Sequence, residues 1–285
     1  MKIIRAKTAG FCMGVRRAMD IAVHEAQSGQ SPVYTYGPLI HNRQVVESLR
    51  EQGVMPVDNP TTVPPGHIVI RAHGIPIAKR TELDALGFYC IDATCPHVTA
   101  SQKRIASRSA EGFDIILVGD RDHAEVVGLE GHAATPVHII SSLEEAQALS
   151  IDRPFCVIAQ TTFNLEEYEG ICAVLRAKGP KCIVYDSICR ATEERQNEVR
   201  DLTRQCDAIV VVGGKHSANS CRLAQISTEC GKPTFFVETA EELDMKAISV
   251  FETVGITAGA STPDGVIADV VRLLTELADS KATGS

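Results

Sequence analysis

Apolar runs and turn signals alternate along this chain in an order that recurs three times. The runs SPVYTYG, FDIILVGD and CDAIVVVGG each read as a strand buried on both faces. After each comes a helical segment and a short strand, VMPV, VHII or TFFV. A third strand then ends in small or polar residues, as HIVIRAHG, PFCVIAQTT and ETVGITAGAS, and a last helix begins near Pro76, Asn164 or Pro263. Three β-branched stretches, IIRAKTAGFC, CIDATC and CIVYDSIC, end in a cysteine, and a helical run follows each cysteine. In the first of these runs Val15, Ala18, Met19, Ala22, Val23 and Ala26 share one face. Strands alternating with helices at this period predict three copies of one α/β unit with parallel sheets.

The expected fold is α/β, with three similar lobes in a pseudo-threefold trefoil: residues 13–96, 97–190 and 191–285. The third copy lacks a closing strand after DGVIADVVRLLTELA, whereas the strand expected over residues 2–12 has no helix before it. The N-terminal segment 1–12 is therefore expected to complete the third lobe. Each cysteine is then expected at the C-terminal tip of a strand, where ligands collect in open parallel sheets.

Composition narrows the function. A net charge of −8 argues against a nucleic-acid partner, which needs cationic contacts to phosphate. MKIIRAKTAGF has charges at positions 2, 5 and 7 and no apolar core, so it is not a signal peptide. No run reaches the roughly 18 apolar residues of a spanning helix, so no membrane partner is expected and a cytoplasmic protein is. There the ten cysteines stay reduced, which turns attention from disulfides to metal or cluster binding.

Cys12, Cys95 and Cys189 precede His41, His123 and His216 by 29, 28 and 27 residues. Under threefold symmetry these cysteines meet at one point. Three thiolates without a fourth equivalent suit a 4Fe-4S cluster with one open iron. Cys156, Cys172, Cys182 and Cys206 read as small buried hydrophobes, and Cys90, Cys221 and Cys230 fall outside the repeated position. A second set, His41, His73, His123, Ser217, Asn219 and Ser261, falls at strand-to-helix turns on the same expected face. Several helix N-termini with short polar side chains make an anion site, and a phosphate or diphosphate fits. The other reading of these residues is as helix caps. Thr161 or Thr162 stands where the first copy has His73.

The segments GFCMGVRRA, GPLIHN, RAHG, DATCP, DHAEVVG, AQTT, DSIC and GITAGAS, in this order, resemble the LytB/IspH family of 4-hydroxy-3-methylbut-2-enyl diphosphate reductases. The likeness runs from about residue 3 to residue 275. It implies a central iron–sulfur cluster on Cys12, Cys95 and Cys189, and reductive dehydroxylation of an allylic diphosphate to isopentenyl and dimethylallyl diphosphates. That is the last step of the methylerythritol phosphate route to isoprenoids. It further implies an external ferredoxin- or flavodoxin-type electron donor. His41, His73, His123, Ser217, Asn219 and Ser261 are carried over as substrate contacts, and Glu125 and Thr161 as groups at the reacting end. Glu125 is the only carboxylic acid expected on that face, because Asp92 and Asp186 are expected inside strands. One departure stands out: the family usually reads Asn-Ser-Ser-Asn where this chain has His216-Ser217-Ala218-Asn219, so a hydroxyl expected on the diphosphate is missing and affinity is lowered unless His216 or water substitutes. Two other readings are a hydro-lyase that needs no reductant and a metal sensor, although neither a basic stripe nor a helix-turn-helix segment is visible.

Overall fold

The computed structural model describes residues 1–29, 32–179 and 181–283. The chain opens with β1 (Lys2–Arg5), α1 (Met13–Gln27), β2 (Val33–Tyr36), α2 (Arg43–Glu51), β3 (Val54–Val57), β4 (His67–Ile70), α3 (Ile77–Ala85) and β5 (Tyr89–Asp92). The middle comprises α4 (Pro96–Ala110), β6 (Asp114–Val118), α5 (Ala124–Glu130), β7 (Val137–Ile140), α6 (Leu143–Ala148), β8 (Phe155–Ala159), α7 (Leu165–Lys178) and β9 (Cys182–Val184). The last part holds α8 (Arg190–Gln205), β10 (Ala208–Val212), α9 (Ala218–Glu229), β11 (Thr234–Val237), α10 (Met245–Ile248), β12 (Thr253–Ala258) and α11 (Asp264–Thr283).

These strands form three parallel four-stranded sheets of one topology: β3-β2-β4-β5, β7-β6-β8-β9 and β11-β10-β12-β1. The third obtains its closing strand from the chain's start, with β1 in parallel register on β12 from Lys2↔Thr253 to Arg5↔Ile256. Contacts divide the chain into two compact units. One contains Met1–Met13, His41–Val45 and Arg190–Ser285, and so the β1 sheet; the other contains Gly14–Ile40 and Val46–Cys189, with the remaining two sheets.

The central strands explain why the sheets form. All five residues of β10 are buried, with Val210 and Val212 in one apolar cluster and Ile209 and Val211 in another. In β6, Ile116 and Val118 likewise face one cluster while Ile115 and Leu117 face a second. Alternate side chains point to opposite faces, so a continuous apolar run requires helices on both sides. Among the described residues, no helix is long and apolar enough to cross a membrane.

The closing strands are shorter than expected. β1 stops at Arg5, and only the Ala6 N–H, 2.7 Å from the Ile256 carbonyl, continues its ladder. Beyond it the chain turns through Gly10, whose φ of +113° lies in the left-handed region that glycine tolerates. Loops of two, four and six residues therefore separate β5, β9 and β1 from Cys95, Cys189 and Cys12. Asp186 lies in such a loop rather than in a strand, and Asp92 is the last residue of β5; both are exposed.

Ala6→Pro removes the donor of that last ladder bond and leaves a buried carbonyl unpaired, which should cost about 1–3 kcal/mol. A lower midpoint in urea unfolding checks this; an unchanged midpoint would mean that β1 adds nothing to the third sheet.

Candidate functional site

The three recurring cysteines occupy equivalent places in their sheets. The Cys95 N–H donates to the Ala72 carbonyl at 2.9 Å, that of Cys189 to Thr161 at 3.1 Å, and that of Cys12 to Ala260 at 3.2 Å. Each acceptor lies two residues beyond the third strand of its own sheet, β4, β8 or β12. A helix starts at the next residue: Pro96 opens α4, Arg190 opens α8 and Met13 opens α1. All three cysteines are half-buried, and among the described residues no disulfide joins any of the ten. The other cysteines are chemically different. Burial pushes the Cys156 thiol up to about 12, and those of Cys90 and Cys172 up to about 11. Burial also raises Cys182 and Cys206. Such thiols resist becoming the thiolates that ligate iron. Cys221 and Cys230 are exposed.

In the unit holding Cys95 and Cys189, β8 and α5 bring Glu125 and Thr161 together. Glu125 is 1% exposed, and its carboxyl oxygens lie 2.6 Å from the Thr161 nitrogen and 2.8 Å from the Thr161 hydroxyl. Burial raises the Glu125 pKa to about 7, against the two Thr161 hydrogen bonds, which favour the carboxylate. Thr161 thus touches this acid through its side chain while its carbonyl holds Cys189. His123 caps α5, its Nδ1 accepting the Glu125 N–H at 3.1 Å, and its ring packs edge-on to that of His73 with centroids 5.3 Å apart. Gln160, missed in the sequence, ties this corner together. It is fully buried, accepting the Asp120 N–H at 2.9 Å and reaching the Thr162 hydroxyl at 3.0 Å. The segment AQTT marked the place but not which polar group was structural.

The other unit gathers His41, Ser217, Asn219 and Ser261. The Ser261 hydroxyl lies 3.4 Å from that of Ser217 and 3.5 Å from the His41 carbonyl. Gly214 allows this approach: a Cβ there would stand 2.6 Å from the His41 oxygen. Ser217 caps α9, with its hydroxyl accepting from the Ser220 N–H. Asn219 is 5% exposed, and its Nδ2 has no protein partner among the described residues. A buried amide donor of this kind implies a ligand acceptor, since leaving it unpaired is costly.

The repeat is off by one at a single landmark. The N–H groups of Gly37, Gly119 and Gly213 all donate at 2.9 Å to the short edge strand of their sheets. Four residues on from these glycines stand His41, His123 and Ser217, so Ser217 rather than His216 is the third equivalent. His216 is exposed while Ser217 is buried. The same logic makes Thr162 and Ser261 the counterparts of His73, each following the carbonyl that holds a cysteine.

The LytB protein family matches residues 3–275 of this chain. The 4-hydroxy-3-methylbut-2-enyl diphosphate reductase of Citrifermentans bemidjiense is 43% identical over 272 residues, 95% of this chain and 96% of that protein. Among solved structures, the E-1-hydroxy-2-methyl-but-2-enyl-4-diphosphate reductase of Plasmodium falciparum superposes with a TM-score of 0.92 at 29% identity, covering 96% of this chain and 88% of that one. A second, (E)-4-hydroxy-3-methyl-but-2-enyl diphosphate reductase, described as the terminal enzyme of the non-mevalonate pathway, gives 0.71 at 37% identity, over 97% of this chain and all of that one. With the family match spanning nearly the whole length and the motifs seated at equivalent strand ends, this chain belongs to the LytB protein family.

Proposed function

We propose that this protein reduces 4-hydroxy-3-methylbut-2-enyl diphosphate to isopentenyl and dimethylallyl diphosphates, the last step of the methylerythritol phosphate route. The observation that carries this reading is the buried acid Glu125, hydrogen-bonded by Thr161, whose own carbonyl binds the Cys189 backbone. That supports reading Glu125 as a proton source near a candidate redox ligand. Members of this family are iron–sulfur enzymes. Cys12, Cys95 and Cys189 suit the group: they are half-buried, equivalent in the three sheets, and each directly precedes a helix.

The reaction breaks the allylic C–O bond, takes up two electrons and two protons, and releases water. Cys12, Cys95 and Cys189 would hold a 4Fe-4S cluster, which would supply the electrons and a Lewis acid. An external ferredoxin- or flavodoxin-type protein renews those electrons. Glu125 gives the proton that departs with the hydroxyl oxygen, because an acid with pKa near 7 keeps a substantial protonated fraction at neutral pH. Thr161 orients that carboxyl and hydrogen-bonds the same oxygen. His41, His73, His123, Ser217, Asn219 and Ser261 bind the diphosphate. Ser217 caps α9 and Asn219 sits in its first turn, whose free N–H groups favour an anion. Ala218 contributes no hydroxyl, and the exposed His216 is a poor substitute. The diphosphate contacts of this turn thus fall to Ser217 and Asn219.

Iron analysis tests the ligand set. Cys95→Ser or Cys189→Ser should lose most bound iron, whereas Cys156→Ala and Cys172→Ala should keep it; the opposite pattern removes the cluster assignment.

Asn219→Ala should weaken binding of inorganic diphosphate about tenfold or more, the worth of a hydrogen bond to a charged group. The melting temperature should hardly move, because the lost Nδ2 bonds no protein group. Unchanged diphosphate affinity, measured by calorimetry, would return this residue to a structural role.

Glu125→Gln should lower turnover by roughly 10²–10⁴ while retaining iron and substrate binding. The acid works only when protonated, so wild-type turnover should fall as pH rises through about 7, and that limb should vanish in the glutamine variant. Linkage runs the same way. The stability that protonated Glu125 lends is complete below its ordinary value of 4.5 and is lost as pH rises through about 7. Wild-type turnover in Glu125→Gln would assign the proton to another group.

A further inference from the structure

In every sheet an arginine reaches from a helix to the loop that carries the sheet's cysteine. Arg17 of α1 donates from its two terminal nitrogens to the Thr94 carbonyl at 3.1 Å and the Asp92 carbonyl at 3.3 Å, just before Cys95. Arg104 of α4 donates to the Asp186 carbonyl at 3.3 Å, three residues before Cys189, with its guanidinium 4.9 Å from the Tyr185 ring centroid. Arg195 of α8 donates to the Gly10 carbonyl at 2.7 Å, two residues before Cys12. Neighbouring groups strengthen two of these ties. Arg108 Nε meets the Tyr185 hydroxyl at 2.7 Å, and the Glu198 carboxylate accepts the N–H groups of Lys7 at 2.6 Å and Thr8 at 2.9 Å.

Each of these helices begins directly behind a different cysteine. Followed along chain and hydrogen bond, Cys12 leads through α1 and Arg17 to the Cys95 loop. Cys95 leads through α4 and Arg104 to the Cys189 loop, and Cys189 leads through α8 and Arg195 back to the Cys12 loop. The circuit closes. Yet the arginines stand five, nine and six residues after their cysteines, so this is not a register inherited from the repeat.

We infer that Arg17, Arg104 and Arg195 are positioning residues for the iron–sulfur ligands, coupling the setting of each cysteine to the next and leaving positive charge beside the thiolates. The inference rests on the reading that Cys12, Cys95 and Cys189 hold the cluster. The loops of two, four and six residues leave the strands before reaching their cysteines, and the arginine ties add a restraint to the one backbone bond that each cysteine N–H makes. A guanidinium is suited to this, since its rigid fork spans two carbonyls and it stays charged. Arg17 and Arg104 bond carbonyls rather than carboxylates, so their charge is not neutralised by an ion pair among the described residues. A nearby cation favours the more negative, reduced form of a cluster.

The test uses the iron-loaded full chain and the variants Arg17→Met, Arg104→Met and Arg17→Lys. It reads iron release to a chelator, the cluster's reduction potential, and the melting temperature of the metal-free protein. Both methionine variants should release iron about tenfold faster or more, the effect of one lost charge-assisted hydrogen bond. Their potential should move to more negative values at an unchanged metal-free melting temperature. Arg17→Lys keeps the charge but not the fork, so it should retain the potential and still release iron faster; it carries the test if Arg17→Met fails to fold. Wild-type release and potential in the methionine variants would overturn the inference, as would release that only tracks a fall in metal-free stability. If instead Cys95→Ser or Cys189→Ser keeps its iron, the cluster reading fails first, and the inference with it.

Discussion

Each closing strand stops level with its neighbour or short of it, and this chain carries its path on to a cysteine the same way three times. The N–H of Cys12, Cys95 or Cys189 takes the carbonyl two residues beyond the adjacent third strand. One backbone bond therefore sets where each sulfur starts and where each following helix begins. It also seats the residue after that carbonyl, His73, Thr162 or Ser261, at the same level of the sheet. Unlike side chains thus occupy like positions in three sheets of one topology.

The second strand end shows how asymmetry enters. Thr161 supplies the carbonyl for Cys189 and both donors for Glu125, whereas the equivalent residues Ala72 and Ala260 bring no polar side chain. Of the three strand ends, that of β8 is the one that offers a buried carboxyl both donors. Burial disfavours ionisation while the two donors favour it, and the balance leaves the group near neutrality, where proton transfer in either direction is easiest. The polar cost of sinking a carboxyl to 1% exposure is offset by those hydrogen bonds and by protonation.

The arginine ties add a different kind of order. Packing of the apolar strands determines the sheets but stops short of the cysteines, which lie in loops of unequal length. Side chains from α1, α4 and α8 take over where the ladders end. Because every tie ends on a backbone carbonyl, it constrains the path of the chain whatever side chains the loop bears.

Much of this architecture was legible in the chain itself. Short β-branched runs such as AIVVV, bounded by turn signals, read as strands covered on both faces, and the edge strands VMPV, VHII and TFFV have the bounds expected of them. The missing partner of the third copy pointed to β1, and the pairing of β1 with β12 follows from the count of strands in a repeat. Tertiary structure decided what happens where the ladders end. Where a β-branched run such as IIRAKTAGFC leaves the strand is a tertiary outcome: β1 stops at Arg5, opposite Ile256, although β12 runs on to Ala258. Spacing from cysteine to histidine selected His216 because it counts residues, whereas the turn after Gly213 delivers Ser217 inward. Arg17, Arg104 and Arg195 were invisible as a set. A long side chain reaches its carbonyl from any of several helix turns, and only the folded distances show that three dissimilar positions do one job.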